Sequence, residues 1–473
     1  MMNPVTLTMV DGVKVVVPDS LEQITTYALR EQQDWFEDEI KFLRRILGPG
    51  QRAVDIGANF GVYTLAMARL VGPGGKVWAF EPASATARML AAGIAANCFD
   101  QVSLQQCAVS GARGSAQLHL SANPELNALQ PDVSASGETE TVPVVSLDDC
   151  ITDLGWRDLD FVKIDAEGEE ANILRGGQRF FASESPLVQY EIKVGQTMDL
   201  GLTQSFAAIG YRAYRLVPGL DLLVPFDPSM PVDDYQLNLF CCKPDRAATL
   251  AEAGFLVTDP LDPQAFRKRH RDDLLQQRRA VRKYHWRHAL ASLPYGKALA
   301  AHWERTVGTG GSAEVEEALS MHAFSQDRAM PAAQRYAALQ ASLALLLAQC
   351  ERQPAYLRLA SLARAAREFG ARVVAVNALE RLAARLLQMR EFDPTEPFLA
   401  PGPRFDALQP QSGIGAWICA ATLEELERSC YFSSYYSGER SRENLENIRA
   451  RAMGSDEMKR RLELLNLRFG STR

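Results

Sequence analysis

Between residues 50 and 242 the apolar positions follow two periods in turn. Short runs at 53–56, 77–80, 102–106, Phe161–Ile164 and 187–192 are bounded by Gly, Pro, Asp or Glu and read as strands. Between them, 62–70, 83–96 and 169–181 carry the spacing of helices. Such alternation predicts a parallel sheet with helices on both faces. A hairpin is expected from 211–217 and 235–242, which flank a Pro/Gly/Asp-rich stretch. Residues 122–141 are polar, carry Pro124, Pro131 and Gly137, and read as a long loop of the lid or substrate-binding kind. Residues 14–17 alternate like a strand.

Near Pro244 the chain becomes rich in Ala, Leu, Arg and Glu. Helices are expected at 336–350, Tyr356–Phe369 and 373–387, with breaks at 308–312 and at Pro394, Pro397, Pro401 and Pro403. The expected organisation is a strand and helix lead-in at 1–49, an α/β domain at 50–245, a basic helical linker at 246–312 and an α-helical domain at 313–473. Leu359, Leu362 and Ala366 share one helix face, Ala375, Leu379 and Leu382 another, and Gly370 sits between. The pair resembles one tetratricopeptide-like unit, and an ordinary helical hairpin fits as well.

The chain has 473 residues, 47% hydrophobic and 23% charged, which excludes a mainly disordered protein. A formal net charge of −7 gives no sign of a nucleic-acid binder. No run of 18 uncharged apolar residues occurs, and the first 17 residues lack the basic start and apolar core of a signal peptide. Eight cysteines form no C-x-x-C pair, so neither disulfides nor structural zinc is expected. These features predict a cytoplasmic protein with reduced thiols.

The strongest motif runs from Val54 to Leu65, VDIGANFGVYTL. A strand ends at Asp55, a small-residue turn follows, and a helix is expected from near Phe60. Gly57 and Gly61 would let a ligand approach the backbone without a Cβ in the way. The helix start would offer unpaired N–H groups. Asp55 could balance a cationic amino-acid group. Glu81 ends the second strand, 20 residues after Gly61, where an acid accepts hydrogen bonds from ribose hydroxyls. These residues specify an adenosine ligand. A dinucleotide needs G-x-G-x-x-G under its pyrophosphate, and Asn59 stands where the second glycine would be. S-adenosylmethionine carries no phosphate and has an ammonium group, so the acidic first strand suits it better than NAD.

A second motif, DFVKIDAEGEE, runs from Asp160 to Glu170. Its strand ends at Asp165, with Glu167 two residues on. Asp55, Glu81, Asp165 and Glu191 should therefore share the carboxyl edge of the sheet, where ligands bind in open α/β folds. Clustered carboxylates raise one another's pKa and supply a general base, or they hold a divalent cation. No residue is singled out as a metal ligand. Glu169 and Glu170 fit charge stabilisation of a helix start.

With VWAFEP, VVSLD, ILRGG, PLVQYEI and the terminal Asn238-Leu239-Phe240, these blocks resemble the FkbM family of S-adenosylmethionine-dependent methyltransferases over residues 50–242. Ala166, where the family more often has Val, is a small departure. The resemblance implies a Rossmann-like, seven-stranded class I methyltransferase sheet and methyl transfer to an oxygen of a sugar, polyketide or related metabolite. It implies that Asp55, Gly57, Asn59, Gly61 and Glu81 line the cofactor site and that Tyr63 and Thr64 reach the methionine end. Cys107 and Ala108 would meet adenine. Asp165, Glu167 and Glu191 would face the transferred methyl or its acceptor, with Asp165 the first choice of base and Glu167 the second.

Residues 266–288 carry nine Lys/Arg against two acids, a net +7, and Tyr284 and Trp286 add aromatic surface there. A solvated helix or a contact with an anionic partner both fit. The aromatic run at 431–436 fits buried packing or a binding surface. The expected activity is O-methylation of a sugar hydroxyl in a glycan or related metabolite, with a protein partner for the helical domain and no nucleic acid. The rivals are a scaffold that works through the helical half, and an NAD-dependent oxidoreductase.

Overall fold

The computed structural model describes residues 3–129, 138–194, 197–275, 283–306, 312–352, 355–389, 392, 394, 396–410 and 413–470. Pro131 and Gly137 of the expected loop, 276–282 of the basic segment and 308–311 of the expected break lie outside them. The chain divides into two compact units. The first comprises 1–216, 225–232 and 236–253, and the second 217–224, 233–235 and 254–473.

The first unit opens with a hairpin, β1 (Pro4–Thr8) and β2 (Lys14–Pro18), then α1 (Ile24–Gln32) and α2 (Asp38–Ile46). The alternating segment follows as β3 (Arg52–Ile56), α3 (Val62–Val71), β4 (Lys76–Phe80), α4 (Ser84–Asn97) and β5 (Val102–Gln105). A small sheet of β6 (Ala108–Val109), β7 (Gly114–His119) and β8 (Thr139–Val145) comes next, with β8 in the centre. Then come α5 (Leu147–Asp153), β9 (Phe161–Ile164), α6 (Glu170–Arg175), α7 (Gln178–Ser183) and β10 (Leu187–Glu191). A two-residue ladder of β11 (Lys193–Val194) and β12 (Thr197–Met198) leads to α8 (Gly201–Ala208) and β13 (Arg212–Val217). Next in chain order are β14 (Leu222–Pro225), which up to Val224 belongs to the second unit, and then β15 (Asn238–Cys242) and α9 (Pro244–Glu252) of the first.

The main sheet has eight strands in the order β14-β13-β15-β10-β9-β3-β4-β5. The resemblance implied seven strands; the sheet has eight, with β14 at its edge. Strands β5, β4, β3, β9 and β10 run parallel, and β15 lies antiparallel between β10 and β13. Successive side chains point to opposite faces. On one face Val54, Ile56, Trp78, Phe80, Val162, Ile164, Val188 and Tyr190 form a core with Phe180, Phe181 and Phe206. On the other, one rung carries Asp55, Lys163 and Gln189 in register across β3, β9 and β10.

Two expectations need correction. The segment 169–181 is two short helices, α6 and α7, rather than one. The break falls at Gly176 and Gly177. A Cβ on Gly176 would lie 2.5 Å from the Ser110 carbonyl oxygen, so the chain turns there to close on the preceding loop. The segment 122–141 is not all loop, since β8 begins at Thr139 and a 3-10 turn spans Pro124–Leu126.

The second unit is helical. Helices Ala313–Ser325, Ala332–Arg352, Tyr356–Phe369, Arg372–Gln388 and Ile414–Cys430 each pack on the next in sequence. Leu359, Leu362, Ala366, Ala375, Leu379 and Leu382 are all buried, as their spacing requires. Gly370 ends its helix at φ 90°, a left-handed position that glycine takes without a Cβ penalty. Arg358 meets both oxygens of Glu396 at 3.1 Å, and both side chains are buried. Tyr284 and Trp286 do not form aromatic surface. They are buried, Tyr284 against Phe324 and Trp286 with its indole N–H donating to Glu316. In the run 431–436, Phe432 lies on the Arg372 guanidinium and Tyr436 is exposed. Among the described residues, no helix is long and apolar enough to cross a membrane.

Candidate functional site

The register fixes where the parallel strands end. Ile56 pairs with Phe80 and with Ile164, and Phe80 with Gln105. Tyr190 pairs with Ile164, so Gly57, Glu81, Asp165 and Glu191 all emerge at one carboxyl edge.

The turn after β3 is held by its own bonds. Gly57 and Ala58 donate their N–H groups to the Phe80 carbonyl at 3.1 and 2.9 Å. Asn59 N–H donates to Glu81 Oε2 at 2.9 Å, Phe60 N–H to Asn59 Oδ1 at 2.7 Å, and Gly61 N–H to the Ala58 carbonyl at 2.8 Å. Asn59 takes a left-handed φ of 49° to make this turn. Five consecutive N–H groups are thus engaged within the protein, and no cradle of free amides remains there for a pyrophosphate. The helix, expected from near Phe60, begins at Val62.

The glycines serve a purpose that the sequence did not disclose. A Cβ on Gly57 would lie 1.7 Å from the Asp165 carbonyl oxygen, and one on Gly61 would lie 2.2 Å from Leu90 Cδ1. Both admit protein atoms rather than leave an open approach for a ligand. Gly57 in particular lets the ends of β3 and β9 close on each other.

Asp55 is wholly buried. Its Oδ2 accepts the Thr64 hydroxyl at 2.6 Å, and its Oδ1 is a buried acceptor without a donor. Burial raises its pKa, and Lys163 opposes that rise. Glu81 is also buried. Its oxygens accept the Asn59 N–H at 2.9 Å and the Ala83 N–H at 2.8 Å, leaving each oxygen a lone pair. Burial pushes Glu81 up to about 7. Tyr63 donates its hydroxyl to Glu37, which precedes α2. Cys107 packs in the same core as Trp78 and Phe80, and burial lifts its thiol to about 11. Ala108 packs with Ala83, two residues after Glu81.

Asp165, Glu167 and Glu191 each place a carboxylate oxygen within 4.8 Å of the others. Lys163 Nζ reaches Asp165 Oδ2 at 2.6 Å. Burial and then the charge of Asp165 raise Glu167 to about 8, and the same causes, in that order, raise Glu191 to about 9. Glu167 sits at φ 41°, inside a tight turn. Glu170 braces that turn by accepting the N–H groups of Ala166 at 3.0 Å and Gly168 at 3.1 Å. Glu169 instead accepts the Ser110 hydroxyl at 2.5 Å. Sequence reasoning assigned nothing to Lys163, Gln189 or Glu37. A lysine at a core position of Phe-Val-Lys-Ile was the available signal for the first, and nothing local marked Glu37.

Residues 55–213 match the family model described as the methyltransferase FkbM domain. No curated protein sequence matched the chain. Among solved structures, methyltransferase FkbM from Methylobacillus flagellatus KT is similar at 18% identity and TM-score 0.29, over 46% of this chain and 57% of that one. A SAM-dependent O-methyltransferase from Thermotoga maritima is similar at 15% identity and TM-score 0.26, over 50% of this chain and 77% of that one. A SAM-dependent methyltransferase from Aquifex aeolicus is similar at 11% identity and TM-score 0.26, over 47% and 93%. The segment 55–213 thus matches the methyltransferase FkbM domain, and the sheet order and the motifs at its carboxyl edge agree with that match.

Proposed function

We propose that this protein transfers the methyl group of S-adenosylmethionine to a sugar hydroxyl in a glycan or related metabolite. The observation that carries this reading is the pairing of two acid sites along one sheet edge. Glu81 retains two free lone pairs for a ribose diol, and the group of Asp165, Glu167 and Glu191 lies at the ends of the neighbouring strands. The fully engaged turn at 57–61 suits a cofactor without phosphates and disfavours an NAD-dependent oxidoreductase. The orphaned Asp55 Oδ1 adds negative potential behind the turn, which favours a cationic ligand.

The cofactor would supply an activated methyl on a sulfonium. The protein's own contribution is to align an acceptor oxygen with that methyl and to remove the hydroxyl proton. Asp165 suits the base role. Its Oδ2 is engaged by Lys163, which leaves Oδ1 to take the proton. Glu167 and Glu191, raised to about 8 and about 9, are mainly protonated at neutral pH and suit donating hydrogen bonds to neighbouring hydroxyls of the acceptor. In the second unit, helices stacked on their sequence neighbours support a surface for a protein partner or a carrier-bound substrate.

The test is S-adenosylhomocysteine release against a panel of monosaccharides and nucleotide sugars, for wild type and Asp165→Asn. Turnover with a sugar, reduced about 10²-fold or more in the variant with cofactor binding kept, supports the reading. Full activity in the variant refutes Asp165 as base. Turnover only with an added divalent cation would replace the base reading with a metal-assisted one.

A further inference from the structure

Lys163 brings an ammonium into a strand that is otherwise apolar. Its side chain is 7% exposed, Nζ contacts Asp165 Oδ2 at 2.6 Å, and it lies 4.9 Å from the centre of the Tyr63 ring. In register it stands between Asp55 on β3 and Gln189 on β10. The Gln189 amide donates to the Tyr63 hydroxyl at 3.4 Å, and that hydroxyl donates to Glu37. We propose that Lys163 is a positioning residue for the candidate site, whose buried ammonium fixes the carboxylates of Asp165 and Asp55 inside a cage completed by Glu37. This inference rests on the methyl-transfer reading and adds a working part to it.

Burying a charge is costly unless it is paired and hydrogen-bonded. Burial opposes the Lys163 charge, but Asp165, Asp55 and Glu37 face it from three elements and together outweigh that cost, so its pKa is raised. Tyr63 turns the negative face of its ring to the ammonium. Lys163 therefore stays charged, and it holds negative charge in place behind the cofactor turn and beside the proposed base. Glu37 lies outside the segment 55–213, so the N-terminal segment takes part in the site.

Lys163→Met keeps an unbranched side chain, one atom shorter, and removes the charge. In the full chain, calorimetry with S-adenosylmethionine in two buffers of different ionisation enthalpy at pH 7.5 counts the protons exchanged on binding. We expect Lys163→Met to release about one proton more than wild type. Carboxylates that lose the ammonium take up a proton, which a bound cation then displaces. A folded Lys163→Met variant with the wild-type proton count overturns the proposal. Should Lys163→Met fail to fold, adding Asp55→Asn or Glu37→Gln should restore folding by removing a lone buried charge. Double variants that also fail to fold overturn the proposal. Wild type that binds no S-adenosylmethionine overturns the methyl-transfer reading and this inference with it, whereas wild-type binding with an unchanged variant overturns this inference alone.

Discussion

Glu81 ties the pH dependence of cofactor binding to a single buried carboxyl. Burial raises it from 4.5 to about 7, while two backbone N–H groups pull the other way. A shift of that size corresponds to roughly 3 kcal/mol of preference for the neutral form. A ribose diol donates two hydrogen bonds and selects the ionised form. Affinity should therefore scale with the ionised fraction, about one-eleventh at pH 6 and nine-tenths at pH 8 for a pKa of about 7. S-adenosylhomocysteine should bind about tenfold more tightly at pH 8 than at pH 6, and Glu81→Gln should remove that dependence. Stability carries the opposite sign. The folded pKa lies above the unfolded one, so Glu81 destabilises the fold progressively as pH rises from about 4.5 through about 7. Thermal melts of Glu81→Gln should accordingly lose less on going from pH 5 to pH 8 than melts of wild type. The assays are titration calorimetry at pH 6, 7 and 8 and melting from pH 5 to pH 8. Equal affinity at pH 6 and 8 in wild type, or the same tenfold change in Glu81→Gln, would refute the reasoning.

Gly57→Ala should destabilise the first unit by about 3 kcal/mol or more. The added Cβ would lie 1.7 Å from a backbone oxygen at φ +79°, so the strand end must move. A melting temperature within one degree of wild type would contradict that close approach. In the second unit, Arg358→Met leaves Glu396 buried without its bidentate partner and should cost about 3–5 kcal/mol in denaturant unfolding. The Arg358→Met/Glu396→Gln double variant should recover part of that loss, and strict additivity of the two changes would refute the pairing.

The sheet was legible because its strands are short apolar runs closed by Gly, Pro or acids, and its register follows from their parallel order. Four of the five strand runs needed only a residue's adjustment at one end, and one matched as read. The acids Asp165, Glu167 and Glu191 were legible for the same reason, since strands that end together bring their next residues together. Contacts between distant segments were not legible. Nothing near Gly176 announces the Ser110 carbonyl that breaks the helix, and nothing near Gly57 announces Asp165. In the small sheet of β6, β7 and β8, the central β8 lies about 20 residues beyond β7 in the chain, and β6 is only two residues long. Tyr284 and Trp286 sit in a basic run that suggested surface, but their rings have partners in Phe324 and Glu316, far along the chain. Glu37 reaches the site from a helix start with no motif of its own.

Titration of the full chain with S-adenosylhomocysteine, S-adenosylmethionine and NAD tests the central claim most directly. The account requires one site that binds the first two, is weakened by Glu81→Ala in folded protein, and does not bind NAD. Folded protein that binds neither sulfur nucleoside, or that binds NAD in their place, would contradict it.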